Sequence, residues 1–364
     1  NLYGHCHPEI AAAVQRQAGE LEHVMLAGFT HEPVVRLSER LVALAPPGLA
    51  RCFYADSGAA AIEIAVKMSF HAWRNAGRTR KRRFVTLANS YHGETLGALA
   101  VGSVDLYKEI YRPLLMDVLT APSPDCYERA AGESWEQHSR RAFEPMLALL
   151  ERHADELAAV IVEPLVQCAG NMRMYHPVYL RLLREACDRL GIHLIADEIA
   201  VGMARTGTLF ACEQAGIRPD FLCMSKGLTG GWLPMSVVVT TDPVYAAFYD
   251  EYVKRTAFLH SHSYTGNPLA AAAANATLDL LARPGEIARI RALGERLGDA
   301  AAPFADHPHV AEVRRTGTIV AIEFVQDRAA RTPFPWTERR GLRAYRRALE
   351  RGVLTLADRL RAAG

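Results

Sequence analysis

The sequence predicts an α/β protein: a large domain on a mostly parallel central sheet, followed by a smaller α+β domain. Three observations carry this. The apolar runs Ala159–Val162, His193–Ala196 and Phe221–Met224 lack polar alternation, as strands covered on both faces do. Stretches with helical spacing separate them, for instance Leu180, Leu183, Cys187 and Leu190. Each run ends in polar residues (Glu163, Asp197 with Glu198, Ser225 with Lys226), and in parallel sheets the carboxyl ends of strands face the ligand crevice.

The other elements follow in chain order. Val34, Leu37, Leu41 and Leu44 recur at helical spacing from Pro33 to Ala45, and Pro46, Pro47 and Gly48 end that helix. Arg51–Ala55 reads as a strand and Asp56-Ser57-Gly58 as a turn; the next helix carries Ile62, Val66, Ser69, Phe70 and Trp73 on one face. Phe84–Leu87 is a second strand, with the polar loop Asn89-Ser90-Tyr91-His92-Gly93 behind it. The polar stretch 122–140 is expected to run over the surface, and Ser236–Thr240 to form another strand. The alanine-rich stretch 269–276, interrupted by Asn275, reads as a packed helix. From about Pro284 come a charged helix, strands at Val310–Val313 and Thr318–Phe324, and an arginine-rich helix after Pro333–Pro335. The expected division is a small-domain remnant at 1–30, a large cofactor-binding domain at 31–283 and an incomplete small domain at 284–364. Starting at Asn1 without methionine and stopping at Gly364, the chain reads as a fragment.

Composition narrows the classes. In 364 residues, 42 basic side chains against 40 acidic ones give a net charge of +2, which offers no bulk attraction for nucleic acid. Arg78, Arg80, Lys81, Arg82 and Arg83 read as a solvated loop before a strand, with a phosphate patch as the lesser reading. The 7 cysteines form an odd set without a CxxC pair, which fits thiols in a reducing compartment. His5, Cys6 and His7 have no distant partner pair and are read as no metal site. No secretory leader is visible, and no apolar run approaches the ~18 residues of a membrane span, so a cytoplasmic protein is expected.

Four features share the strand ends. Lys226 lies between an apolar strand and the run Gly227-Leu228-Thr229-Gly230-Gly231, where poor solvation would lower an amine's pKa and favour imine formation. Alone, it reads equally as a surface lysine in a turn. Asp197 ends an earlier strand; by itself it reads as a cap or turn residue. Ser57-Gly58-Ala59-Ala60 opens a helix directly after a strand, where small residues let backbone N–H groups approach a phosphate. Tyr91 follows a strand in a polar loop, placed either to stack on a ring or simply to pack. A lysine for an imine, a carboxylate for a pyridine nitrogen, a helix start for a phosphate and an aromatic face are what pyridoxal phosphate needs.

Ile195–Gly207 (IADEIAVGMARTG) and 219–231 (PDFLCMSKGLTGG) resemble the class-III aminotransferases of fold type I. So do 163–175 (EPLVQCAGNMRMY), 89–98 (NSYHGETLGA), 56–68 (DSGAAAIEIAVKM) and 260–270 (HSHSYTGNPLA), and the likeness runs from Asn1 to about Leu354. It implies a pyridoxal 5'-phosphate-dependent transferase. Lys226 would be the catalytic Schiff-base lysine and Asp197 the partner of the pyridine nitrogen. Gly58 and Ala59 would give backbone contacts to the phosphate, and Tyr91 would lie on the ring with His92 and Gly93 in its loop. Ser263 is implied to be a phosphate-binding hydroxyl supplied by the second subunit of a homodimer.

At the substrate end the resemblance points to Tyr91, Glu94, Arg205 and Gly231; Arg205 reads also as an ion pair with Glu163 or Glu198, and His260 and His262 read also as plain loop histidines. Ala59 stands where relatives often have serine, Glu94 where they often have aspartate, and Ser261 where some have glycine. Within the family the motifs are most like the biotin-biosynthesis branch. That implies S-adenosylmethionine as amino donor and 8-amino-7-oxononanoate as acceptor, in a ping-pong reaction. Another class-III transaminase acting on an ω-amino acid or diamine, and a remnant without turnover, are the alternatives. Relatives read into an Arg-Pro pair past this point, its arginine holding a substrate carboxylate. This chain reads Thr355-Leu356-Ala357-Asp358-Arg359-Leu360 instead, which is expected to be a foreign tail.

Overall fold

The computed structural model describes residues 2–354, so the stretch expected to be a foreign tail lies outside the described residues. The chain divides into two compact units, the first ending at Arg289 and the second beginning at Ile290.

In the first unit, strands β1 (Leu49–Ala55), β2 (Arg83–Leu87), β3 (Leu119–Ala121) and β4 (Leu157–Val162) come first. A short hairpin, β5 (Val166–Gln167) and β6 (Arg173–Met174), precedes β7 (His193–Asp197), β8 (Phe221–Met224) and β9 (Ser236–Thr241). The main sheet has the order β1-β9-β8-β7-β4-β2-β3. β9 runs antiparallel to both neighbours and every other pairing is parallel. β4, β8 and β9 are buried at every residue, as their unalternating sequences predict.

The helix Gly58–Asn75 covers one face, packing Ala61, Ile62, Ala65 and Val66 into a cluster with Ile161, Ile195 and Phe221. Each large aliphatic side chain buried there contributes about 1.5–3 kcal/mol. A second cluster joins Ile10, Ala273, Ala276 and Leu280, the last three from the helix Pro268–Leu281. Asn275 is tolerated inside that helix because its amide donates to Pro33 O (2.9 Å) and Ala271 O (3.0 Å).

Two expectations need correction. The stretch 122–140 is not simply a surface excursion: Asp125, Cys126 and Tyr127 are buried, and the helix Trp135–His153 begins inside it. Ser134 and Gln137 form a reciprocal capping box there, and its polar residues give the stretch the look of a loop. In the basic cluster, Lys81 is buried. Its Nζ donates to Ala154 O (2.9 Å) and Leu157 O (3.0 Å) and stands 4.9 Å from the centre of the Trp73 ring.

The second unit holds an antiparallel sheet of β10 (Val310–Thr316), β11 (Ile319–Asp327) and β12 (Thr332–Pro333), then the helix Arg340–Leu349. Both long strands extend beyond their expected ends. Arg314, buried in β10, pairs with Glu323 of β11 at 2.9 Å. Among the described residues, no helix is long and apolar enough to cross a membrane.

Candidate active site

β7 and β8 are neighbours in the sheet, and Asp197 pairs in register with Cys223. Lys226 therefore lies three residues past the partner of Asp197, at the same end of adjacent parallel strands. Beyond Met224 the chain stays extended at Ser225, whose hydroxyl donates to Met235 O (2.7 Å). Lys226 then takes a left-handed backbone with φ +43° and opens the tight turn Lys226–Thr229. Such a conformation is costly for a residue with a side chain and persists only where the surroundings hold it.

Lys226 is exposed on the single chain, contrary to the poor solvation expected of it. Its apolar neighbours end with the strand, and the turn swings the side chain into a cavity of about 360 Å³ that it lines with Ile199, Met203, Arg205, Gly227 and Gly231. Gly230 closes the turn at φ +63°. A Cβ there would stand 2.8 Å from Ile10 Cδ1 and 2.9 Å from Thr277 Oγ1, so a side chain at this left-handed position would be strained and would push both neighbours aside.

Asp197 is buried, and each of its oxygens has a partner. Oδ1 accepts from Ile199 N (3.1 Å), the turn contact that its bland reading foresees. Oδ2 meets His92 Nδ1 at 2.7 Å, a contact between two buried side chains far apart in sequence. The other ring nitrogen of His92, Nε2, has no hydrogen-bond partner among the described residues.

The loop that carries His92 is pinned on both sides. Tyr91 N donates to Glu163 Oε2 (3.0 Å), and the Tyr91 hydroxyl donates to Glu94 Oε1 (3.1 Å). Burial, then that hydrogen bond, pushes the Tyr91 phenol well above its usual range. Gly93 sits at φ +121°, and a Cβ on it would be 2.6 Å from Ala59 Cβ, so this loop lies directly on the start of the helix Gly58–Asn75.

At that helix start Ser57 Oγ accepts from Ala60 N (3.2 Å). The backbone N–H groups of Gly58 and Ala59 have no hydrogen-bond partner among the described residues, so they remain available to an anion. A Cβ on Gly58 would meet Ile199 Cγ2 at 3.0 Å. Ile199 thus touches the helix start with its side chain, holds Asp197 with its N–H, and lines the Lys226 cavity. Unpartnered N–H donors and a buried carboxylate fixed by a histidine, both touched by Ile199, and an accessible amine in the cavity that Ile199 also lines are a donor set that suits pyridoxal phosphate.

Glu163 and Glu198, weighed as partners of Arg205, give their carboxylates to backbone N–H groups. Glu163 accepts from Tyr91 N and, through Oε1, from Cys168 N (2.9 Å); Glu198 accepts from Ala211 N (2.7 Å) and Cys212 N (2.8 Å). Burial pushes each carboxyl up to about 7; for Glu163 the charge of His92 opposes the rise and that of Asp197 adds to it. Arg205 lines the cavity, and burial lowers its pKa.

The structure thus joins Gly58, Ala59, Tyr91, His92, Glu94 and Asp197 through direct contacts, and sets Lys226, Arg205 and Gly231 around one cavity. Ser263 is exposed on the 259–267 loop and is not among the cavity-lining residues of its own chain. Beside it, His262 Nδ1 is 3.6 Å from Asp56 Oδ2, and His260 Nδ1 is 2.8 Å from Lys67 Nζ. Sequence reasoning missed Ile199, and saw Glu163 as a strand-end residue at the crevice and a partner for Arg205, but not as the holder of the Tyr91 and Cys168 N–H groups. An apolar residue directly after the Asp197-Glu198 pair was the available signal for Ile199.

The aminotransferase class-III family model matches residues 1–359. The adenosylmethionine-8-amino-7-oxononanoate aminotransferase of Geobacter sulfurreducens is 42% identical over 354 residues, covering 97% of this chain and 78% of that protein. The crystal structure of the Methanocaldococcus jannaschii adenosylmethionine-8-amino-7-oxononanoate aminotransferase superposes with a TM-score of 0.91 at 33% identity, over 97% of this chain and 79% of that one. An amine transaminase from an uncultivated Pseudomonas species, in its PLP-bound form, superposes with a TM-score of 0.93 at 29% identity, over 98% and 82% of the two chains. With its parallel strand ends, its capped helix start and its lysine-bearing turn, this chain belongs to the class-III aminotransferases.

Proposed function

We propose that this chain transfers the amino group of S-adenosylmethionine to 8-amino-7-oxononanoate, giving 7,8-diaminononanoate, as a cytoplasmic pyridoxal-phosphate enzyme and a homodimer. The observation that supports the chemistry is that Asp197 and Lys226 stand at the same end of adjacent parallel strands, with Lys226 and Ile199, whose N–H holds Asp197, lining one cavity. The substrates rest on the likeness to the Geobacter sulfurreducens enzyme over 97% of the chain.

When bound, pyridoxal phosphate supplies an electron sink for the carbanion formed at the amine-bearing carbon. The Gly58 and Ala59 N–H groups would hold its phosphate, with Ser263 of a second copy as a further donor. Asp197 would face its ring nitrogen, and Tyr91 would lie on the ring. Lys226 Nζ would take the proton from the reacting carbon and hold it for return. His92 fixes the Asp197 carboxylate through the 2.7 Å contact. Arg205 puts a cation at the wall of the cavity beside Gly231, and Glu94 would act at the substrate through its contact with the Tyr91 hydroxyl.

A second reading, a transaminase for other amines, draws on the TM-score of 0.93 to the Pseudomonas amine transaminase. A donor panel separates the two. Purified protein loaded with cofactor is given S-adenosylmethionine, ω-amino acids and diamines in turn, with 8-amino-7-oxononanoate as acceptor. Diaminononanoate formed with S-adenosylmethionine alone is the expected result; turnover only with the other amines overturns the assignment.

A further inference from the structure

Glu163 is a buried carboxylate, 4% exposed, that has no ion-pair partner among the described residues and that the reaction as outlined does not use. It stands directly after β4, and its two oxygens reach two different loops. Oε2 accepts from Tyr91 N at 3.0 Å and Oε1 from Cys168 N at 2.9 Å, while its own carbonyl accepts from the Tyr175 hydroxyl at 2.7 Å. Only an ionised carboxyl offers acceptor lone pairs freely on both oxygens, and charge-assisted bonds of this kind are the strong ones. Tyr91 and His92 are consecutive, so the Tyr91 N–H bond also fixes the backbone from which His92 reaches Asp197.

We propose that Glu163 is a positioning residue: by clamping the Tyr91 and Cys168 backbones to the end of β4, its carboxylate sets Tyr91 and the His92–Asp197 pair for the cofactor. This rests on the cofactor reading above. The groups facing it are His92 and Tyr91 from one loop, Cys168 from another and Asp197 from β7. Burial pushes its carboxyl up to about 7, with the charge of His92 opposing the rise and that of Asp197 adding to it. The clamp is therefore complete above that pH. Below it, protonation turns one acceptor oxygen into a hydroxyl that points at an N–H donor.

The test is equilibrium binding of pyridoxal phosphate to apoprotein, followed by cofactor absorbance and by dialysis from about pH 6 to pH 8, with the parent, Glu163→Gln, Glu163→Asp and Glu198→Gln. Glu163→Gln keeps the shape but sets an amide N–H₂ against one backbone donor. Its dissociation constant is expected to rise roughly tenfold at the upper pH, and the parent's loss of affinity on acidification should vanish in it. Glu163→Asp keeps the charge but cannot span both loops, so it should bind more weakly while still titrating. It carries the test should the glutamine variant not fold. Glu198→Gln, a buried acid that holds Ala211 and Cys212, should bind like the parent. Affinity and pH profile unchanged in either Glu163 variant would overturn the role of Glu163. A parent that binds no cofactor would instead overturn the cofactor reading.

Discussion

Asp197 and Glu198 are consecutive and both buried, yet the fold gives them different tasks. Asp197 meets His92 and the Ile199 N–H, whereas Glu198 accepts the N–H groups of Ala211 and Cys212. Burial holds the Glu198 carboxyl at about 7, above its ordinary 4.5. The sign of its effect follows. The native state keeps the proton after the unfolded chain has lost it, so this stability is fully present below about 4.5 and is lost as pH rises through about 7. Urea unfolding of the parent and Glu198→Gln across that window should show the parent losing up to ~3 kcal/mol relative to the variant. Parallel pH profiles for the two proteins would contradict this.

Strand-end residues such as Asp197 and Lys226 were legible because an apolar run ending in a charge has few readings in a parallel sheet. The exposure of Lys226 was not legible: it depends on the +43° backbone of the turn, which no neighbouring residue type announces. The His92–Asp197 contact was equally hidden, since it joins side chains separated by 105 positions.

At the scale of elements, the pocket depends on how closely the Tyr91 loop lies on the helix Gly58–Asn75. Gly93 makes that approach possible, with φ +121° and only 2.6 Å between a Cβ built on it and Ala59 Cβ. Gly93→Ala is expected to cost roughly 2 kcal/mol or more in unfolding free energy, from strain and overpacking together, and to weaken cofactor binding. Gly77 has φ +76° but nothing within 4 Å of a built Cβ, so Gly77→Ala should bear only the backbone cost and leave cofactor binding unchanged. Urea midpoints and cofactor titrations on the two variants check this; equal losses in both would contradict the packing argument.

Helical spacing and strand burial made most elements readable, including the alanine-rich helix Pro268–Leu281. The helix Trp135–His153 escaped because its polar start, with Ser134 and Gln137 capping each other, looks like loop composition. The reversed direction of β9 escaped for a different reason: a fully buried strand has the same residues whichever way it runs.

Over the whole molecule, the candidate site residues come from segments spread between Gly58 and Arg205 and on to Gly231, and the sheet order brings these segments to one end of the sheet. β4, β7 and β8 lie side by side, so the loops after Val162, Asp197 and Met224 open at one end of the sheet. That convergence follows from parallel strand direction, which is why unalternating apolar runs predicted the crevice as well as the fold. Ser263 stands apart: on one chain it is exposed and touches none of the other candidate residues through the contacts described, and the role proposed for it needs a second copy.

The central claim is that the amine of Lys226, beside the pocket built on Asp197, is the one that joins the cofactor. Borohydride reduction of cofactor-loaded protein, followed by peptide mass mapping, tests it most directly. A stable pyridoxyl adduct on Lys226 alone is the expected result. An adduct on Lys67, Lys81, Lys108 or Lys254 with Lys226 unmodified, or no adduct at all, would contradict it.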